Sequence, residues 1–452
     1  MSLRWSGIVR LGLVQAALGS VVVLVTSTLN RVMVVEYALP AMLPGTLVAL
    51  HYAVQMIRPR FGHASDVGAR RTPWIVGGMA VLACGGVVCA LATVAMTAHA
   101  MAALALAVLG YTMVGVGVGA AGTSLLVVLA KQVDERRRAA AASIMWVLMI
   151  AGFAITSTTV GHFLDPFSPQ RLVTVVAVAA LIALVTAVLA VWNVEIVPRD
   201  AGDARGDGAA AVKLRAAART VPGAARASFR AALREVWADP QARRFTLFVF
   251  VSMLAYSAEE LLLEPFCGLV FGYSIGQSAK LSGLWHSAVF AGMVCVGILC
   301  SGTRRLGSLR AWTMGGCCAS AVAVASLAVA AIVGPAWPVK ASVIMLGVAN
   351  GVFAVSAIGS MMELAHRNPT GGAGVRMGLW GAAQAVAFAL GGILGTATVD
   401  VIRHVSESSI LAFSSVFAVQ AILFFMAARF AARVGPTTSS RAAANNPTTV
   451  IA

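Results

Sequence analysis

Residues 30–74, NRVMVVEYALPAMLPGTLVALHYAVQMIRPRFGHASDVGARRTPW, decide the fold. An apolar segment of membrane length, Ala38 to Met56, runs into a short basic loop. In that loop Asp66 stands between Gly62 and the pair Arg70 and Arg71. A carboxylate at such a helix junction is suited to meet helix amino-terminal dipoles and arginine side chains from elsewhere in the chain. Outward from this stretch, in both directions, the same alternation of long apolar run and short polar loop repeats to the ends of the chain.

Hydrophobic residues make up 59% of the 452 and charged residues 11%, with a mean hydropathy of +0.87. That is far from a soluble globular domain. Solid apolar runs, and not alternating ones, imply helices crossing a ~30 Å hydrocarbon layer, where every backbone polar group must be bonded internally. Twelve such helices are expected, at roughly 8–29, 38–57, 74–96, 102–130, 139–161, 172–193, 245–265, 281–300, 311–333, 339–361, 377–398 and 409–430. The segment MSLRWSGIVR carries no convincing cleavage site and leads into a retained first helix. The seven cysteines lie in or beside apolar segments without metal-ligand spacing, as packing residues do.

The net charge of +16 is a matter of topology, not of nucleic acid. With the amino terminus inside, 28 of the 33 Lys and Arg fall on inner segments, leaving Arg31, Arg171, Lys280, Lys340 and Arg403 outside. This is the positive-inside rule applied along the whole chain, and it places both termini on the cytoplasmic side of the membrane. Anionic lipids are the expected partners of this charge.

Six helices, a polar segment and six more helices give two bundles, 1–193 and 245–434, joined by a linker at 194–244 and followed by a polar tail at 435–452. Beyond Pro222 the linker places Phe229, Leu233, Val236 and Trp237 on one helical face and Arg226, Arg230 and Arg234 on another, which suits a helix in the lipid interface. The loop after helix eight, SGTRRLGSLR, repeats the pattern of the loop after helix two at the equivalent place. The earlier loop resembles the signature of the major facilitator superfamily: Gly, three residues, Asp, a basic residue, any residue, Gly and two basic residues. Gly62, Asp66, Arg70 and Arg71 fit, Val67 and Ala69 depart, and Arg305 with Gly307 echoes the pattern where Arg304 replaces the Asp. These residues are expected to couple movements of the two halves.

Ionisable groups inside a membrane are costly and mark function. Glu259, Glu260 and Glu264 crowd one end of helix seven before Pro265, which should loosen the helix there, and all three cannot stay charged at that depth. Asn30, Arg31 and Glu36 end the first helix near the same face of the membrane, where Arg31 is placed to pair with a helix seven carboxylate. Glu363 and Arg376 are candidates for an inner gate. His51 and His286, the latter beside Trp285, are candidates for axial ligands to a magnesium tetrapyrrole, since neutral imidazole is a good donor in an apolar pocket. For lone helix histidines, a hydrogen bond to a neighbour is the commoner role. Asp200, Asp203 and Asp207 have the spacing of a magnesium-binding prenyltransferase motif, but Arg199 and the surrounding glycines spoil it. No phosphate loop, nucleophile or metal-binding arrangement is present, so no enzyme is expected.

The stretch LGLVQAALGSVVVLVTSTLNRVMVVEYALPAMLPGTLVALHYAVQMIRPRFGHASDVGARRTPWIVGGMAVL is similar to the PucC/LhaA family of phototrophic bacteria, the bacteriochlorophyll transporter family within the major facilitator superfamily. The similarity continues at ELLLEPFCGLVFGYSIGQSAKLSGLWHSAVFAGM and GLWGAAQAVAFALGGILGT, so it spans both halves. The resemblance implies a factor for assembly of light-harvesting antenna that delivers or positions bacteriochlorophyll, or a precursor, as cargo and binds no cofactor tightly. It implies antenna polypeptides as partners, with bacteriochlorophyll synthase and the membrane insertion machinery beside them. The alternatives are a proton-coupled exporter of a small amphiphile, with Glu264 as the titrating group, and a scaffold with no pigment site.

Overall fold

The computed structural model describes residues 3–56, 71–134, 137–194, 234, 237–301, 307–366 and 373–434. Among them are twelve long helices: α1 (Trp5–Glu36), α2 (Met42–Gln55), α3 (Thr72–Ala95), α4 (Ala100–Gln132), α5 (Arg138–Phe163), α6 (Pro169–Val191), α7 (Pro240–Phe271), α8 (Ile275–Ser301), α9 (Leu309–Val333), α10 (Val339–His366), α11 (Ala373–Ser406) and α12 (Ser409–Ala432). Eleven are long and apolar enough to cross a membrane. The exception, α2, has 14 described residues and is followed by residues 57–70, which lie outside the described set.

Local chemistry sets the helix starts. Pro73, Pro169 and Pro240 sit in first turns, where the missing N–H costs nothing. Ser168, Asp239, Ser308 and Ser408 accept a backbone N–H of the first turn with their side chains. Gly272, at φ 67°, ends α7 in the left-handed conformation that glycine adopts without cost, while Tyr273 N–H returns to the Cys267 carbonyl.

Helices α1–α6 pack among themselves, as do α7–α12. The two halves meet along two helix pairs, α5 with α8 and α2 with α11, and where the end of α1 reaches α7. Close approach relies on glycine. A Cβ on Gly117 would lie 2.6 Å from the backbone of Leu82, and one on Gly78 2.6 Å from that of Ala121, so α3 and α4 touch backbone to backbone. Elsewhere the outer faces carry exposed Leu181, Ile182, Leu189, Ile422 and Phe425, as lipid contact requires. The end of the bundle reached by the close of α1 is the distal end; the start of α1 and the close of α12 lie at the opposite, terminal end.

Several expectations are corrected. The first helix continues to Glu36 and the seventh runs from Pro240 to Phe271, so their polar residues lie within helices and not at frayed ends. Pro265 lies inside α7, which continues past it to Phe271. Gly62, Asp66, Arg70 and Arg305 lie outside the described residues, as do the Asp200–Asp207 segment and, except for Arg234 and Trp237, the expected interfacial helix. Arg71 precedes the first turn of α3, Gly307 takes φ 80°, Glu363 falls in α10 and Arg376 in α11.

Candidate functional site

Helix α1 is not a regular α-helix at its distal end. Residues Leu24–Thr28 and Val32–Glu36 form π-helical turns, which hold an extra residue per turn and mark functional segments in many helices. Thr26 and Ser27 in the first of these turns, and Asn30 and Arg31 in the α-helical turn between the two, are all buried. The Val25 carbonyl accepts a hydrogen bond from the Tyr111 hydroxyl at 3.1 Å.

Opposite them, Pro265 removes from α7 the N–H that would have reached the Leu261 carbonyl four residues earlier. Asn30, from the other half, takes its place: its Nδ2 donates to Leu261 O at 2.5 Å. The neighbouring carboxylates are also met from α1. Ser27 Oγ donates to Glu264 at 2.6 Å, and Thr26 Oγ1 donates to Glu260 at 3.4 Å. Glu259 turns the other way, into its own half, where Asn350 Nδ2 donates to it at 2.9 Å and is itself oriented by Ser320 at 2.7 Å.

Arg31 corrects the expectation that it pairs with a helix seven carboxylate. Its ion pair is with Glu36, at 2.6 Å, five residues along the same π-wound segment. Its remaining donors cross to the other half, Nε to Ser278 Oγ at 3.2 Å and a terminal nitrogen to the Tyr273 carbonyl at 2.7 Å. A Cβ on Gly268, one turn past Glu264, would lie 2.9 Å from the Val35 side chain and 3.3 Å from a terminal nitrogen of Arg31. The cluster thus holds three buried carboxylates on α7 and one arginine that is already committed to a fourth acid. Glu259 and Glu264 each keep one buried oxygen without a partner among the described residues, as does Asn30 Oδ1.

Toward the middle of the membrane lies an aromatic series that sequence reading missed. Tyr52 meets Phe388 with ring centroids 4.9 Å apart, Phe388 meets Tyr256 at 6.0 Å, Tyr256 meets Trp285 at 5.7 Å, Trp285 meets His286 at 4.7 Å, and His286 meets Phe153 edge-on at 5.0 Å. The series passes through α2, α11, α7, α8 and α5, crossing between the halves at both ends. Tyr52 lies ten residues into α2, about 15 Å from its start at 1.5 Å per residue, so the belt sits near the bilayer midplane. Tyr256 is one turn before Glu260, which sets the belt directly beneath the carboxylates.

Both candidate histidines join this belt, His51 through Tyr52 at 4.9 Å. His51 Nε2 lies 2.8 Å from the Gln55 amide nitrogen. His286 is fully buried, with Nδ1 2.9 Å from the Ser282 carbonyl and Nε2 without a partner among the described residues. A proton on Nδ1, donated to that carbonyl, leaves Nε2 with the lone pair that a magnesium ligand needs. The Trp285 indole N–H beside it is likewise buried and unpartnered among the described residues. Below the belt, Gln15 meets Met149 at 3.2 Å and Gln384 meets Met253 at 3.8 Å, all four half-buried. Nothing in the sequence distinguishes Tyr52, Phe153, Tyr256 and Phe388 from core aromatics, because their role comes from the packing of five helices. Among the described residues no group of His, Cys, Asp and Glu is arranged to hold a metal ion.

Residues 28–438 match the model of a family described as PUCC protein. The chain belongs to that family. This PUCC family member is 48% identical over 452 residues, 99% of each chain, to a protein of Rhodobacter capsulatus named bacteriochlorophyll synthase 44.5 kDa chain. It is 26% identical to protein PucC of the same organism, covering 94% of this chain and 91% of that one. Among solved structures, the PUCC family member superposes on a bacterial homologue of the human lysosomal transporter Spinster with a TM-score of 0.66 at 14% identity, covering 95% and 96% of the two chains. It superposes on a D-xylose–proton symporter with a TM-score of 0.67 at 14% identity, covering 94% and 98%. The fold is that of the major facilitator superfamily, as the loop signature suggests.

Proposed function

We propose that this protein is an assembly factor for bacterial light-harvesting antenna, one that shelters bacteriochlorophyll or a precursor between its halves and presents it to newly made antenna polypeptides. The observation that carries this reading is the aromatic belt across the midplane. A flat conjugated macrocycle gains from ring faces and edges on both sides, a magnesium ion gains from an imidazole lone pair, and ester or keto groups gain from hydroxyl and indole donors. The 48% identical relative carries bacteriochlorophyll in its name, and that supports the cargo class. Handling is non-covalent in this reading, with no catalytic step. Bacteriochlorophyll synthase and the insertion machinery are its neighbours, and the strongly basic terminal end faces the anionic cytoplasmic leaflet of an inner or photosynthetic membrane.

The test is a near-infrared absorption spectrum of membranes from a strain lacking the gene, beside wild type and a complemented strain. Loss of antenna bands with reaction-centre bands retained is the expected result; unchanged antenna bands would overturn the reading. In the complemented strain, His286→Phe and Phe388→Ala should lower the antenna bands severalfold while the protein remains present in the membrane.

A second reading, proton-coupled export of a small amphiphile, is favoured by one observation: α7 buries three carboxylates, and the one arginine beside the cluster is already paired with Glu36. Buried charge of one sign demands a counter-ion or a proton. Substrate movement into inverted vesicles that depends on a pH gradient, and is lost in Glu264→Gln, would favour this reading.

A further inference from the structure

We infer that the junction of α1 with α7 binds a sodium ion, held between Ser27 and Asn30 of one half and Leu261 and Glu264 of the other. Ser27 and Asn30 stand three residues apart on α1 and so share a face of it. On α7 the Leu261 carbonyl points along the helix toward the turn that carries Glu264. Two hydrogen bonds fasten the pairs together. Ser27 Oγ donates to one Glu264 oxygen at 2.6 Å, and Asn30 Nδ2 donates to the Leu261 carbonyl at 2.5 Å. Each bond uses one end of a two-ended group. The other ends, Glu264 Oε2 and Asn30 Oδ1, are buried without a partner among the described residues. Each is joined through a single carbon to an atom bonded across the junction, which confines both to the same small space.

Two more oxygens are available there. The Leu261 carbonyl, deprived of its helical donor by Pro265, keeps a second lone pair beside the bond to Asn30. The Ser27 hydroxyl keeps its lone pairs once its proton is given to Glu264, and Ser282 of α8 lies near the same carboxyl group. A carboxylate, an amide, a carbonyl and a hydroxyl thus converge. Where irregular helices cross a membrane, oxygens released from helical bonding are sodium ligands. Both helices are irregular at this level: α1 is π-wound on either side of Asn30, and α7 carries Pro265.

Charge points the same way. Glu260 and Glu264 are both met from α1, and the arginine beside them is paired with Glu36, so the junction is short of positive charge. Ser27, Asn30 and Glu264 are no more than 2% exposed. Magnesium gives up its waters reluctantly and calcium takes six to eight oxygens, so neither suits this dry site. The short bonds that draw the pairs together favour the smaller alkali ion. Such an ion ties one half to the other whatever the cargo, so the inference goes beyond the antenna reading and does not rest on it.

The test is the thermal midpoint of the purified full-length protein in detergent, as sodium chloride replaces choline or potassium chloride at constant ionic strength. The midpoint should rise saturably with sodium. Glu264→Gln, which keeps an acceptor for Ser27 but drops the charge, should abolish the rise, and Ser27→Ala should weaken sodium at least about tenfold. Radioactive sodium should be retained by the parent and lost from Glu264→Gln. No response to sodium in the parent would overturn the site, as would an equal response in Glu264→Gln. A midpoint that rises as pH falls and ignores sodium would also overturn it, since a proton on Glu264 then takes the ion's place. Should Glu264→Gln not accumulate, sodium retention by the parent and by Ser27→Ala decides: none in the parent, or equal affinity in the two, sinks the site. The antenna spectrum bears on none of these outcomes.

Discussion

Pro265 takes one hydrogen-bond donor out of α7, and Asn30 returns one from the other half of the protein. The two residues should therefore be energetically coupled. Asn30→Ala leaves the buried Leu261 carbonyl without a donor, at a cost of roughly 1–3 kcal/mol. With Pro265→Ala the helix supplies its own N–H, and the same Asn30→Ala change should cost much less; a double-mutant cycle of thermal unfolding in detergent measures the difference. Arg31 offers a second comparison. Arg31→Leu removes the ion pair with the solvent-accessible Glu36 and the links to Ser278 and the Tyr273 carbonyl, and should cost roughly 1–3 kcal/mol, mostly from the polar groups left without a donor. Arg31→Lys keeps the charge but not the planar fork, and should recover only part of that in the same assay. The sequence named Asn30, Arg31, Glu36 and the three glutamates as one neighbourhood, because polar groups in apolar helices stand out against their surroundings. It misassigned the partner of Arg31, because the π-helical winding that brings Glu36 within reach has no distinct residue pattern.

At the scale of helices, what matters is where backbones touch. A side chain on Gly351 would strike the Val289 carbonyl of α8, whereas one on Gly77 meets nothing within 4 Å. Gly351→Ala should therefore lower the unfolding midpoint, by the roughly 1–3 kcal/mol typical of overpacking. Gly77→Ala should leave it unchanged or raise it slightly through helix propensity. Apolar runs located all twelve helices, but their ends were drawn too tightly at α1, α7 and α11. Those helices carry polar residues such as Asn30, Glu264 and Asp400 near their ends, and a hydropathy reading stops at them although the helix continues. The aromatic belt was illegible for the opposite reason. Tyr52 and Phe388 look like ordinary core residues until two helices separated by most of the chain are brought side by side.

For the molecule as a whole, the asymmetry of 28 basic residues against 5 predicts that reporters fused to the two chain ends both report the cytoplasm. A reporter at either end that is active only in the periplasm would contradict the topology. Composition, repeat and loop pattern made this level the most legible, since the bilayer allows few architectures. One feature of the site also bears on how the chain is made. Helix α7, with Glu259, Glu260 and Glu264, has the lowest mean hydropathy of the eleven spans, and Glu260, Glu264 and the Leu261 carbonyl are met by Thr26, Ser27 and Asn30 from α1. Each acid near the centre of a lone segment costs roughly 2.5–3.5 kcal/mol on insertion. During synthesis the translocon thus meets a poor stop signal whose hydrogen-bonding partners left the ribosome more than two hundred residues earlier. The first six helices then act as a template that receives α7 from the translocon. The second half expressed alone should insert poorly, and co-expression of the first half as a separate chain should restore it.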